Sequence, residues 1–247
     1  MQREPYDLPV AVTKTAAMRY LAETAGHGYV LHQSGTVPAA KLLHLIEKLD
    51  ARYRILATRG MRDNDRLRGR SCARLVVFPK AYGATPEGGT TWLFWLMATE
   101  GTGPLPLETK TRDSRHPSYR LRWLDQYELV SRPVRRRTGE LTHVWTWVFQ
   151  DAFLDRWRRV FKKAAGRVRS SVERKPDYLI KLVASLRRVP GFHGINRQKR
   201  ALILGADIPC GLHTSLELRR LGTIVNKAMP IFDRHRTVRT LMAAASE

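Results

Sequence analysis

The chain has few cysteines, no long apolar run and no recognisable leader, and each absence excludes a class of protein. Its two cysteines, Cys72 and Cys210, form no CxxC pair in a chain of 247 residues, which excludes a disulfide framework and a conventional zinc finger. No apolar run approaches the ~18–20 residues of a transmembrane helix, and no signal peptide opens the chain. We therefore expect a soluble protein of the reducing cytoplasm, without membrane contact.

Motifs of the common enzyme classes are also missing. The sequence contains no P-loop, no HExxH, no GxSxG and no paired acidic cluster of the kind that holds Mg²⁺. Asp63 and Asp65 stand among arginines, which favours a role as local charge partners. A metal-dependent nuclease is thereby disfavoured, and we expect neither a metal ion nor a cofactor.

Acidic residues are scarce relative to basic ones. Lys and Arg number 44 against 22 Asp and Glu, a net charge of +22, and residues 150–247 hold 21 basic and only 8 acidic side chains. Arginine outnumbers lysine 33 to 11; its planar guanidinium suits phosphates and guanine edges, although a GC-rich genome would give the same bias. Because so positive a body repels itself until a polyanion neutralises it, the charge indicates a nucleic-acid partner, RNA or DNA.

The first part of the chain predicts a mixture of strands and helices. Apolar residues make up 43% of the chain, enough for a folded core. Hydrophobic periodicity predicts helices over 15–25 and 37–53, and strands over 28–33, 73–79, 90–99, 118–134 and 141–149. The last two strands should pair as an antiparallel hairpin. Residues 62–70 have no apolar period and predict an exposed loop.

The last hundred residues predict helices. Apolar spacing and capping residues favour helices over 151–169, 176–189 and 195–204, a further one from Thr214, and a last one capped by Asp233 and reaching Ala245.

These elements predict an α+β fold. An antiparallel sheet with flanking helices should form the N-terminal part, followed by a helical C-terminal part. We predict domains over 1–149 and 150–247, with one continuous core as the alternative. Four tryptophans, Trp92, Trp95, Trp145 and Trp147, could stack on bases, but apolar residues on both faces of their strands favour the core.

The helix over 151–169 is the best candidate for contact with a phosphate backbone. An apolar stripe covers about a third of its circumference and should pack on the protein. Basic residues cover most of the rest, which is unusual because solvated helix faces normally mix both signs of charge. These basic residues are Arg156, Arg158, Arg159, Lys162, Lys163, Arg167 and Arg169.

Two further basic segments could add phosphate contacts. The predicted hairpin carries Arg135, Arg136 and Arg137 at its tip, and a projecting basic hairpin can enter a groove or clamp a strand. The predicted loop over 62–70 adds a second set of exposed cations, Arg66, Arg68 and Arg70.

The segment around 187–200 has the lengths of a helix-turn-helix. A helix ending near Val189, a turn over 190–194 and a second helix would suit that motif, although this turn of about five residues is longer than the usual three or four. The second helix begins with side chains that read adenine and guanine edges; an ordinary helical hairpin fits nearly as well. The candidate contacts are Arg187, Arg188, Asn196, Arg197, Gln198, Lys199 and Arg200.

Histidines provide the only catalytic candidates. Metal-free RNA cleavage needs a side chain that takes the 2′-hydroxyl proton, with cations that stabilise the phosphorane. His27 stands between two glycines, His32 follows a strand-length step later, and His116 lies in a basic segment. A glycine-flanked histidine is more often simply part of a tight turn.

We interpret the chain as a nucleic-acid-binding protein that holds phosphates through arginine-rich helices and a basic hairpin. From its composition we interpret it as a subunit of a bacterial mobile-element or defence nucleoprotein complex, with other protein subunits as further partners. The alternatives are a metal-independent endoribonuclease that processes a structured or guide RNA, and a helix-turn-helix DNA-binding protein.

Overall fold

Two groups of contacts organise the computed structural model, which describes residues 8–80, 91–135, 137–170, 177–205 and 230–244. The first unit is Met1–Leu121 with Ala228–Glu247, and the second is Arg122–Lys227. This grouping places 230–244 with the N-terminal residues, because the strand β1 (Pro9–Ala11) pairs antiparallel with β9 (Phe232–Thr237). The division into 1–149 and 150–247 stays a prediction.

The predicted α+β class is confirmed, with antiparallel sheets and flanking helices followed by C-terminal helices. In the first unit the elements after β1 are α1 (Lys14–Gly26), β2 (Leu31–Pro38), α2 (Ala39–Tyr53), α3 (Arg59–Leu67), β3 (Ala73–Pro79), β4 (Thr91–Ala98) and β5 (Arg112–Asp113). After the second unit follow β9 and α7 (Val238–Ala244).

A four-stranded antiparallel sheet in the order β3-β4-β2-β5 forms the centre of the first unit. In β4 the residues of both faces are buried, including Trp92, Leu93, Trp95 and Leu96, as expected for a strand covered on both sides. These two tryptophans are therefore core residues, as the sequence predicts.

The second unit combines a meander with three helices. Its strands β6 (Arg122–Trp123), β7 (Tyr127–Arg135) and β8 (Leu141–Phe149) are antiparallel in this order. The helices are α4 (Asp151–Ser170), α5 (Asp177–Arg187) and α6 (His193–Leu204). Trp147 of β8 is fully buried in this unit, whereas Trp145 is only half-buried.

Three predictions of secondary structure were wrong. Residues 59–67 form the helix α3, because Thr58 caps it and accepts from the Met61 N–H at 3.4 Å. The strand predicted over 118–134 is interrupted before Tyr127, where Leu124 takes a positive φ of 51°.

The last helix begins at Val238 and not near Asp233, which lies in strand β9. Thr237 and Thr240 hold its start reciprocally: each hydroxyl oxygen accepts from the other residue's N–H, at 2.9 and 3.3 Å. The helix predicted from Thr214 lies outside the described residues.

Candidate nucleic-acid interface

Helix α4 has one buried face, which fixes its orientation on the second unit. Phe161, Ala164 and Val168 of the predicted apolar stripe are buried, together with Leu154 and Ala165, whereas Phe153, Trp157 and Val160 of that stripe are half-buried. Aromatic rings extend this stripe toward the end of β8, where the Phe149 and Phe153 centroids lie 5.4 Å apart. Because the buried stripe is continuous, the opposite side of the helix must face solvent.

All seven basic residues of α4 are exposed. We call this surface the cationic face; it consists of Arg156, Arg158, Arg159, Lys162, Lys163, Arg167 and Arg169.

Carboxylates compensate little of the cationic face. Asp155 accepts from Arg158 at 2.7 Å, and both side chains of this ion pair are exposed. Two other members rest on aromatic rings: the Arg156 guanidinium carbon lies 5.9 Å from the Phe153 centroid, and that of Arg167 lies 6.0 Å from Tyr178. Exposed ion pairs and surface cation–π contacts are weak, so most of the charge remains effective toward a ligand.

The centre of the cationic face is particularly open. Arg159, Lys162 and Lys163 form no ion pair within the described ranges, and Gly166 follows them with no atom within 4 Å of the position where a Cβ would lie. A helix of this length spans about 30 Å, comparable to several phosphate spacings of a nucleic-acid strand. The face can therefore contact several phosphates at once.

The outer half of the β7–β8 hairpin forms a second exposed element. Its antiparallel register runs without interruption from Tyr127↔Phe149 to Arg135↔Leu141, as the sequence predicts. Beyond the buried Val130 and Thr146, both strands become exposed on both faces, and Val134, Leu141 and Val144 are 43, 62 and 45% exposed. We call residues 132–144 the arm.

The arm presents basic and apolar side chains together. Arg135 and Arg137 are exposed at its tip, while Arg136 lies outside the described residues. No ion pair involving Arg135 or Arg137 occurs within the described part of the chain. A two-stranded ribbon of this kind has the width to enter a groove of nucleic acid.

Helices α5 and α6 do not present a recognition helix of the predicted kind. The N-terminal half of α6 packs directly against β8, because Gly194 has no side chain: a Cβ there would lie 2.6 Å from the Trp147 carbonyl oxygen. The Gly194 N–H donates to Thr146 Oγ1 at 3.1 Å, and the Phe149 N–H donates to Gln198 Oε1 at 2.7 Å. The helix end that would approach base edges is thus covered by the protein's own strand.

Three of the predicted base-reading residues are occupied internally, and these predictions need correction. Gln198 binds both backbone groups of Phe149. Asn196 Nδ2 donates to the Gly191 carbonyl at 2.9 Å. Lys199 is completely buried and donates to the Val189 carbonyl at 2.7 Å, so it cannot reach a phosphate in this structure.

The outward face of α6 retains two of the predicted cations. Arg197 and Arg200 are exposed beside His193 and Ala201, at the spacing of one helical face. Arg188 is exposed in the turn after α5, and Arg187 is half-buried. These positions suit phosphate contacts better than reading of bases.

Burial lowers the pKa of Lys199 to about 8. The ammonium group is removed from water, and its hydrogen bond to the Val189 carbonyl does not replace the lost hydration, so the charged form is disfavoured. Lys199 thus lies on the buried face of α6, together with the apolar residues Ile195, Leu202 and Ile203.

In the first unit, the three predicted arginines of 62–70 are exposed on or just after α3. Arg66 donates to the His27 carbonyl at 3.1 Å and lies 5.0 Å from the Tyr29 ring centroid. Arg70 pairs with Asp65 at 3.7 Å. Arg68 ends the helix, and its side chain forms no ion pair with any described residue. Two of the three therefore also serve to hold α3 in place.

The three candidate catalytic histidines do not meet around one open position in the described structure. His27 is exposed and ends α1, where its backbone N–H binds helix carbonyls. His116 is exposed, and its Nδ1 accepts from the Ser118 N–H at 3.3 Å. His32 is 5% exposed, which leaves no space for a substrate hydroxyl beside its ring.

His32 and His116 nevertheless both contact Tyr119. The His32 Nε2 lies 2.8 Å from the Tyr119 carbonyl oxygen, so Nε2 carries the proton and donates. The His116 and Tyr119 ring centroids are 5.0 Å apart. Burial lowers the pKa of His32, although the hydrogen bond to the Tyr119 carbonyl and the charge of Asp113 act in the opposite direction. The neutral form of His32 is therefore favoured. Its hydrogen bond to Tyr119 helps to hold the segment 112–119 on β2.

One group of residues around α3 is not among the site residues predicted from the sequence. Arg62 is half-buried beside Arg74 of β3, and both line a cavity of the first unit. The feature of the sequence that indicates this group is Arg74, a cation inside the apolar run of β3. Such a residue must either point out of the sheet or find a polar pocket.

Searches for a metal site, a membrane span and related proteins give no further indication. Within the described ranges, no three His, Cys, Asp or Glu side chains gather in a way that could hold a metal ion. None of the helices described here is long and apolar enough to cross a bilayer. The chain matches no family model, no curated protein and no solved structure.

Proposed function

We propose that the second unit binds nucleic acid, RNA or DNA, mainly through the phosphate backbone. The observation that carries this proposal is the cationic face of α4, with seven exposed basic residues and two acidic ones, Asp151 and Asp155, in the same helix. A body with a net charge of +22 whose α4 residues Arg159, Lys162 and Lys163 form no ion pair within the described ranges gains free energy when a polyanion replaces bound counterions.

The other exposed cations of this unit support the same function. Arg197 and Arg200 on α6 and Arg135 and Arg137 on the arm offer additional phosphate contacts. The apolar side chains of the arm provide a surface that can contact bases or sugars once the phosphates hold the strand. Because Asn196, Gln198 and Lys199 are used inside the protein, this binding should depend little on sequence.

A triple substitution at the centre of the cationic face tests the proposal. Replacing Arg159, Lys162 and Lys163 with Gln should weaken binding of labelled RNA or DNA by about 10²-fold near 100 mM salt. The slope of log K against log salt should become shallower by about 2–3, since each lost cation releases roughly one counterion fewer. Fluorescence anisotropy from 50 to 200 mM NaCl measures both quantities.

The control variant has the same net charge as the triple variant of α4. Lys41, Lys48 and Lys110 are exposed lysines of the first unit, and their joint replacement with Gln removes the same three charges. This variant should retain nearly all of the affinity and the slope. Equal losses in the two triple variants would show that only overall charge matters, and absence of binding at 50 mM salt would reject the proposal.

A further inference from the structure

A cavity in the first unit is lined by two half-buried arginines that form no ion pair with any described residue. Its volume is about 310 Å³, and it lies between α1, α3, β3 and β9. Arg62 and Arg74 lie in its wall together with apolar side chains, and none of its described lining residues is acidic.

The two guanidinium groups bind only neutral partners among the described residues. Arg62 Nη2 donates to the Ile55 carbonyl at 3.2 Å, and Arg74 Nη1 donates to the Tyr20 hydroxyl at 3.3 Å. The Arg74 guanidinium also lies 4.9 Å from the Tyr29 ring centroid. The Nε atom of each arginine is buried and has no acceptor.

The nearby acid is already occupied. Asp65, in the same helix as Arg62, pairs with Arg54 at 3.2 Å and with Arg70 at 3.7 Å. Burial, followed by the repulsion of the neighbouring Arg74 charge, lowers the pKa of the Arg62 guanidinium. Burial also disfavours the Arg74 charge, but Tyr20 and Tyr29 outweigh it and raise the pKa of Arg74, so Arg62 is the less well stabilised of the two. Because a partly buried cation without an anion is costly, an anion in the cavity would bind favourably, and a dianion more so than a monoanion.

The start of α3 adds to the positive potential. Thr58, the capping residue, and Arg59 both lie in the cavity wall, so the start of this nine-residue helix borders the same space. Helix N-termini favour phosphate groups through their free N–H groups and their dipole.

The remaining wall is apolar and partly aromatic. The Tyr20 and Phe232 rings meet edge to face at 4.8 Å, and Ile55 and Leu75 are buried beside them. The volume lies at the lower end of the range of small-molecule sites, about 300–1,000 Å³. A ligand that fits both parts of the wall carries a phosphate at one end and a flat ring at the other.

We propose that this cavity binds a nucleoside 5′-monophosphate, either as the free nucleotide or as the phosphorylated 5′ end of a strand. The phosphate would lie against Arg62 and Arg74, and the base against the Tyr20 and Phe232 side. The proposal does not rest on the function proposed for α4, because every residue in it belongs to the first unit.

Calorimetric titration at 150 mM NaCl tests the proposal with five probes: adenosine 5′-monophosphate, adenosine, inorganic phosphate, and a short oligonucleotide with either a 5′-phosphate or a 5′-hydroxyl. The monophosphate should bind at one site per chain and at least tenfold more tightly than adenosine or inorganic phosphate. Tighter binding of the 5′-phosphorylated oligonucleotide than of both its 5′-hydroxyl counterpart and the free nucleotide would identify a strand end as the source. Equal binding of the two oligonucleotides, with the monophosphate bound at the site, would identify the free nucleotide.

Two kinds of variant locate the site. Arg74→Gln removes a cation, and Ala57→Leu fills space in the wall while keeping both arginines; each should weaken the monophosphate at least tenfold. Arg112→Gln is the matched control, because Arg112 lies 4.9 Å from the Tyr119 ring, as Arg74 does from Tyr29, but lines no part of this cavity. Circular dichroism should show that all three remain folded.

Several results would overturn the inference. They are a lack of binding by the wild-type protein, binding unchanged in both folded site variants, an equal loss in Arg112→Gln, or inorganic phosphate binding as tightly as the monophosphate. The triple variant of α4 separates the two proposals, because it should lose affinity for long strands while it retains the monophosphate.

Discussion

At the residue scale, Lys199 is the residue of α6 whose substitution should change stability most, compared with Asn196 and Gln198. It is completely buried and binds the Val189 carbonyl at 2.7 Å, and burial lowers its pKa to about 8 from the ordinary 10.5. A shift of this size corresponds to about 3 kcal/mol of destabilisation at pH 7, where the folded chain must keep the charge. Loss of the hydrogen bond would cost about 1–3 kcal/mol in the opposite direction.

Lys199→Met should therefore raise the free energy of unfolding at pH 7 by about 1 kcal/mol. The advantage should shrink as pH rises from about 8 toward 10.5, because over that range the folded wild type releases its proton while the unfolded chain keeps it, and the wild type gains stability. Urea denaturation at pH 7 and pH 10, followed by tryptophan fluorescence, measures the difference.

The exposed Lys181 of α5 provides the control. Lys181→Met should change stability by at most a few tenths of a kcal/mol at either pH, since the Lys181 side chain is exposed and surface substitutions have small effects. A Lys199→Met variant that is less stable at both pH values would show that the ammonium is better solvated than its burial indicates.

Residue-scale predictions from the sequence failed where burial decides the role. Asn196, Gln198 and Lys199 have the right chemistry for base edges, but all three bind backbone groups of the protein itself. Gln198 binds Phe149 of β8, whereas Asn196 and Lys199 donate to the Gly191 and Val189 carbonyls of the turn before α6. His32 is likewise chemically suited to catalysis and yet buried. The sequence contains no information on which strand would pack against α6, because that contact joins residues nearly fifty positions apart.

At the element scale, two glycines of the second unit stand in helices for opposite reasons. Gly194 lets α6 approach β8 so closely that a Cβ would lie 2.6 Å from the Trp147 oxygen. Gly166 lies on the open side of α4, where a Cβ would meet no atom within 4 Å. Inside a helix, glycine costs about 0.5–1 kcal/mol relative to alanine, so Gly166 reduces stability without a packing reason inside the described unit.

Gly166→Ala should raise the free energy of unfolding by about 0.5–1 kcal/mol, whereas Gly194→Ala should lower it by about 2 kcal/mol or more. Thermal and chemical denaturation of both variants checks the two signs. If α4 needs a close approach of phosphates at this point, Gly166→Leu should weaken strand binding several-fold and still fold. A destabilising Gly166→Ala would show that this helix segment is covered by another part of the chain.

Elements with strong local patterns were predictable, and elements fixed by capping or distant contacts were not. The α4 stripe and the β8 strand match their predicted bounds to within a residue, because apolar periodicity there extends over many residues. Helix α3 has no buried residue and so no apolar period. Its start depends on the Thr58 cap, which is a short signal easily missed among charged residues.

At the scale of the whole molecule, the charge of +22 should oppose folding and favour polyanion binding at the same time. Like charges on a folded chain repel one another more strongly than in the expanded unfolded chain. Added salt screens this repulsion over a Debye length that shortens from more than 10 Å to a few ångströms between 50 and 500 mM. Salt also weakens phosphate contacts, because it lowers the gain from counterion release.

Added salt should therefore raise the stability of the free protein and reduce the extra stability that a bound strand provides, and one set of thermal denaturations can measure both. Without a ligand, raising NaCl from 50 to 500 mM should increase stability by about 1 kcal/mol. With a strand at 100 times its Kd at 50 mM salt, stability should rise by about 2.7 kcal/mol, and this increment should disappear at 500 mM. The Arg159, Lys162 and Lys163 to Gln variant should be slightly more stable than the wild type at low salt and gain less from the strand.

If salt instead destabilises the free protein, specific ion pairs such as those of Asp65 and Glu108 outweigh the net repulsion. The excess of cations would then be a property of the folded surface itself and would not require a polyanionic partner.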